Sequence, residues 1–205
     1  MESAINLPSV SADEAMQRLL AGNERFLRGY ARHPGLRGET LAELARSQRP
    51  YATILGCSDS RVAPEIIFDA GLGELFVIRV AGNHLSPDVA ASLQYAGSHL
   101  HTPLFVVLGH EGCGAVSAAL EARDRGVKQG SRIQLLADSI RPALSEFNPR
   151  LSPKARLDEA IESNVRWTVR QILETPEGQA RRVEGRMKVV GAIYQIESGR
   201  VRFLT

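Results

Sequence analysis

The sequence predicts an α/β protein with a mostly parallel central sheet flanked by helices, an N-terminal helical arm and an antiparallel C-terminal edge. Three observations carry that expectation. Short apolar runs rich in β-branched residues recur along the chain, helix-length segments with their own start signals separate them, and the alternation is that of strand, crossover helix and parallel strand. With 205 residues, 43% of them hydrophobic and 23% charged, the chain has the size and core-forming capacity of one domain. It shows no internal repeat, low-complexity tract or linker.

The first helix starts at Ser11-Ala12-Asp13-Glu14, a capping-box pattern, and continues through Ala15, Leu19, Leu20 and Phe26 at helical spacing to about Arg28. Thr40-Leu41-Ala42-Glu43 repeats the start signal, and Pro50 limits that second helix to a short one. Four runs read as core strands: YATIL ending at Leu55, ELFVIRV ending at Val80, PLFVVL ending at Leu108 and KVVGAIYQI ending at Ile196. Ser86-Pro87-Asp88 supplies an N-cap, a first-turn proline and a first-turn acid ahead of a helix through Ala90 to Leu100, and Ser152-Pro153 opens another running past Trp167. At the far end Ser198-Gly199 turns the last core strand into a short antiparallel VRFL edge.

Composition excludes several function classes. Lys+Arg of 25 against Asp+Glu of 23 leaves a net charge of only +2, so no nucleic-acid partner is expected. Leu104 to Leu108, the longest strongly apolar run, is too short to span a bilayer, and MESAINLPSV lacks the basic and apolar regions of an export signal. A cytoplasmic protein without a membrane partner is the expectation. The two cysteines are too few for a disulfide framework, so their chemistry becomes the question.

Ile54-Leu55-Gly56-Cys57 and Val107-Leu108-Gly109-His110 share one plan, a buried strand, a glycine, and a metal-capable side chain at the strand's carboxyl end. Ligand sites of parallel sheets gather at those ends, which brings Cys57 and His110 to a common crevice. Cys113 follows in HEGCG, near enough for its sulfur and the His110 imidazole to bind one ion from a single turn. Two thiolates and an imidazole suit zinc, and three protein ligands leave the fourth position of a tetrahedron for water, as in catalytic sites. The competing reading makes both cysteines small buried hydrophobes. Two glycine-flanked strand ends converging on one place favour the metal. In CSDSR, Asp59 and Arg61 add a carboxylate and a planar bidentate partner. Alone they read equally well as a loop ion pair or as functional groups; beside zinc they become a base, or an orienting group, for the metal-activated water. Gly71-Leu72-Gly73 begins like a dinucleotide fingerprint but leads into a strand, so it reads as a turn.

CSDSR followed by HEGC resembles the C-x-D-x-R and H-x-x-C motifs of the β-class carbonic anhydrases, in the right order and using the only cysteines. The likeness extends through Val62 to Glu65, the ELFVIRVAGN segment and the terminal YQIESGRVRF, and covers most of the chain from Gln48 onward. It implies that zinc, one per chain, is held by Cys57, His110 and Cys113, and that Asp59 and Arg61 form the catalytic dyad. Gln48, Phe76, Tyr95 and Gly114 match the substrate pocket of the plant-like branch. The reaction implied is reversible hydration of carbon dioxide to bicarbonate and a proton, by a lyase whose zinc-activated water is oriented by the dyad. Two thiolates cancel the zinc charge and acidify that water less than neutral histidines would, so the dyad has to help.

A tryptophan three residues before the first cysteine marks the bicarbonate-inhibited branch; Ile54 stands there, so that regulatory site is expected to be missing. Residues 1–39 match a dimerising arm on a zinc-binding core of 40–205, implying a homodimer or a higher assembly such as a tetramer. His84, His99 and His101 are candidate proton shuttles only because imidazoles titrate near neutrality. Two alternatives share the residues: hydrolysis of carbonyl sulfide or carbon disulfide, and a non-catalytic binding protein stapled by zinc.

Overall fold

The computed structural model describes residues 10–32, 41–42, 44–128, 130–144, 151–185 and 187–204. Its strands are β1 (Ala52–Gly56), β2 (Leu75–Arg79), β3 (Leu104–His110), β4 (Lys188–Tyr194) and β5 (Val201–Leu204), in the spatial order β2-β1-β3-β4-β5. All neighbours pair in parallel except β4 and β5, which are antiparallel and joined by the turn at Gly199 (φ 74°). The predicted architecture is the observed one. β1 and β3 are buried at every position and form the centre, while β2 is half-exposed at one edge.

The helices are α1 (Ala12–Leu27), α2 (Pro64–Ile67), α3 (Pro87–Ser98), α4 (Gly114–Arg125), α5 (Ser131–Ile140), α6 (Pro153–Glu174) and α7 (Pro176–Val183). The predicted caps are real: the side chains of Ser11, Ser86 and Ser152 accept the N–H groups of Glu14, Val89 and Ala155. Alternation along the strands sorts the core into two layers. Leu55, Phe105, Val107 and Ile193 face α3, α4, α5 and α6; Ile54, Leu104, Val106 and Leu108 face α1 and α2. Cys57, two residues beyond Leu55, therefore lies with the first layer.

α1 buries Ala15, Leu19, Gly22 and Asn23 against its own chain. A Cβ on Gly22 would stand 1.8 Å from the Phe68 carbonyl oxygen, so only glycine allows this approach. Asn23 donates to the carbonyls of Ile67 and Gly199 and accepts the N–H of Val201. Residues 33–40, with Pro34 and Thr40 among them, lie outside the described residues, as does Glu43 of the second capping box.

Candidate metal centre

β1 and β3 are adjacent parallel strands, so their carboxyl ends deliver Cys57 and His110 side by side, and Cys113 caps α4 one turn later. The two sulfurs and a His110 ring nitrogen all lie within 4.8 Å of one another, and the three residues are buried. His110 is fully buried; its Nδ1 bonds the Glu111 carbonyl at 2.9 Å, and its Nε2 has no hydrogen-bond partner among the described residues. A nitrogen so placed is free to bind a metal.

The thiols point the same way. The Cys113 hydrogen bond, assisted by His110 and the Gly82 N–H, outweighs burial and holds the Cys57 thiol well below its ordinary range. The same bond, together with burial and the Cys57 charge, pushes the Cys113 thiol up. One thiolate forms readily, and the second has to form beside it, away from water. Burial opposes protonation of His110, but the neighbouring Cys57 sulfur and its charge prevail and raise its pKa. A divalent cation removes this conflict by letting both thiols ionise and keeping the imidazole neutral, so the residues fit a metal such as zinc.

Asp59 stands at the mouth, one carboxylate oxygen 3.9 Å from His110 Nε2. Arg61 grips it through Nε at 2.9 Å, a terminal nitrogen at 2.7 Å and its own backbone N–H at 3.0 Å. That grip holds the Asp59 carboxyl below the usual carboxylate range. Two residues not predicted from the sequence complete the frame. Arg79, ending β2, donates to the carbonyls of Cys57 at 2.9 Å and Asp59 at 2.5 Å, and the Gly82 N–H reaches Cys57 Sγ at 3.3 Å. A charged residue closing the otherwise apolar LFVIR was the available signal for Arg79, since strand carboxyl ends line the crevice.

A family model described as carbonic anhydrase matches residues 52–201. Carbonic anhydrase 2 of Mycobacterium tuberculosis is 39% identical over 195 residues, covering 95% of this chain and 93% of the relative. The chain belongs to the carbonic anhydrase family. Its solved neighbours place it in the β class. The Coccomyxa β-carbonic anhydrase in complex with acetazolamide superposes with a TM-score of 0.75 at 30% identity, covering 86% of this chain and 82% of that one. One of two tetrameric β-carbonic anhydrases from Sordaria macrospora gives 0.74 at 25% identity, covering 92% and 96%. This carbonic anhydrase is thus a lyase with zinc as its cofactor.

The residues expected to line the pocket are dispersed. Gly114 directly follows Cys113 as the first residue of α4. Phe76 and Tyr95 meet each other at 6.1 Å between ring centroids, and Tyr95 stacks on His99 at 4.8 Å. Phe76 is in register with Thr53, four residues before Cys57 and hence about 13 Å from it along the strand. Gln48 is exposed on the segment leading into β1. His84 is almost buried, its Nδ1 near the Ala81 carbonyl. Ile54 is fully buried in the layer beneath α1. Among the described residues no helix is long and apolar enough to cross a membrane.

Proposed function

We propose that this carbonic anhydrase hydrates carbon dioxide reversibly to bicarbonate and a proton, with one zinc per chain held by Cys57, His110 and Cys113 and with Asp59 and Arg61 as its dyad. The observation that carries this is the joining of three converging donors to a carboxylate that is aimed at them yet held by an arginine. Zinc, when bound, supplies Lewis acidity that makes water a nucleophile near neutral pH. Asp59 accepts a hydrogen bond from the attacking oxygen and so turns its lone pair toward the substrate carbon. Arg61 occupies both carboxylate oxygens, which keeps Asp59 ionised and away from the ligand position it would otherwise compete for. The Gly114 N–H, at the start of a helix, meets a substrate oxygen as negative charge develops there. The proton leaves to solvent.

The assembly is a homo-oligomer, a dimer or a tetramer, working in the cytoplasm. The tetrameric Sordaria macrospora relatives support self-association, as does the half-exposed outer strand β2 with the exposed Tyr95 beside it. Gln48, Phe76 and Tyr95 would then line a substrate pocket completed at the interface. Stopped-flow hydration of carbon dioxide by zinc-quantified protein tests the reaction, with carbonyl sulfide run in parallel and mass measured by light scattering. Turnover of the sulfide alone would replace the substrate, and full activity at monomer mass would remove the oligomer.

A further inference from the structure

Gly82 bridges the metal centre and α6. It adopts φ 73° and ψ 18°, and a Cβ there would stand 2.7 Å from Ile140 Cδ1 and 3.1 Å from Ala115 Cβ, so conformation and space both require glycine. Its two backbone groups look opposite ways. The N–H is donated to Cys57 Sγ at 3.3 Å, while the carbonyl accepts Nδ2 of Asn164 at 2.9 Å.

Asn164 lies on the core-facing stripe of α6 beside Ile161 and Val165 and is only 1% exposed. An apolar side chain would satisfy that stripe better. The amide makes its one bond to Gly82, and its Oδ1 has no hydrogen-bond partner among the described residues. A buried amide that makes one bond and leaves its oxygen unpaired among the described residues adds little net stability, because its desolvation offsets the single bond. Its value lies in what that bond fixes.

We propose that Asn164 is a positioning residue for the metal centre: by holding the Gly82 carbonyl it keeps the Gly82 N–H aimed at the Cys57 sulfur. A hydrogen bond to a thiolate draws electron density away from the metal, which matters most where two thiolates already cancel the metal's charge. The relay thus sets both the orientation of Cys57 and how much charge it donates. The inference rests on the ligand set proposed above.

The test uses the full-length protein with Asn164→Leu, which removes the donor and suits the apolar stripe, and Asn164→Ala, which carries the test if the larger side chain does not fold. Zinc affinity by chelator competition, the sulfur-to-metal charge-transfer band of the cobalt(II) form and thermal stability are measured together. The expected result is a 10–100-fold loss of zinc affinity with a shift of the cobalt band to lower energy. Thermal stability of the metal-free protein should change little. Wild-type affinity and an unmoved band in a folded variant would overturn the proposal and leave Asn164 a packing residue. Failure of the wild type itself to bind zinc would instead overturn the ligand set, so the two failures are distinguishable.

Discussion

Where β1 ends, Cys57 passes into a partly exposed loop held by arginines: Arg79 clasps the carbonyls of Cys57 and Asp59, and Arg61 clasps the Asp59 carboxylate. Where β3 ends, His110 and Cys113 are held by packing, fully enclosed between the sheet and the helices above it. The glycines preceding the two ligands show the contrast most directly. A Cβ on Gly109 would meet Val165 Cγ2 at 2.6 Å and Ile193 Cδ1 at 3.1 Å, whereas one on Gly56 would meet only Pro64 Cγ, at 3.9 Å. One limb of the site is rigid because nothing can move into it; the other is kept in place by directional bonds and can be retuned without disturbing the core. Asp59, proposed above to meet the reacting oxygen, sits on the second limb.

Four experiments would sharpen or break that contrast. The largest effect is expected from Cys113→Ser, because a hydroxyl does not ionise at neutral pH to replace a thiolate. Elemental analysis should find the metal gone and hydration abolished, and full zinc occupancy would show that the packed limb is not a metal limb. Next is Asp59→Asn, which keeps the shape of the hydrogen-bonded limb and weakens its acceptor. At matched zinc content hydration should fall by about 100-fold, the scale of a lost proton-accepting group; wild-type turnover would make the dyad purely structural.

The glycine pair comes third. Gly109→Ala overpacks the contact with α6 and should cost about 1–3 kcal/mol, while Gly56→Ala, with room for its methyl group, should stay within about 1 kcal/mol of wild type. Denaturant melts read both, and equal costs would erase the distinction drawn here. The smallest effect concerns α6 itself, the brace of the packed limb, which Glu162 ties to the outer strand through Arg202 at 2.7 Å. Hydrogen bonding from Arg202 and then Arg166 lowers the Glu162 pKa against the pull of burial. A depressed carboxyl contributes stability that is complete above its unfolded value, about 4.3, and is lost as pH falls through the folded value. Glu162→Gln should therefore flatten the decline of stability below about pH 5, by under about 1 kcal/mol for so exposed a pair. An unchanged acid limb would mean that the tie contributes nothing.

The contrast also marks how far the sequence could be read. The strands and the Cys57, His110 and Cys113 group were legible because apolar runs, caps and the cysteines announce themselves locally. Gly56 and Gly109 look alike in sequence and differ through Val165, Ile161 and Ile193, which arrive from elements more than fifty residues away. Asn164 carries no local mark of its task, since its neighbours describe an ordinary amphipathic helix. Phe76 and Tyr95, each expected at the substrate pocket, meet one another, but the register places Phe76 well below Cys57 of its own chain.

Asn23 has a consequence for how the chain reaches this state. Its amide is satisfied by Ile67 on one side and by Gly199 and Val201 on the other, contacts separated by 44, 176 and 178 positions. The last two require nearly the whole chain to have closed, and closure over such a span is slow because its entropy is lost before the contact forms. Locking of α1 is therefore expected late in folding, after the parallel strands have assembled. A chain truncated before Gly199 would leave α1 with its sequence intact and its anchor missing, so amide exchange in α1 should report on whether the turn into β5 has docked.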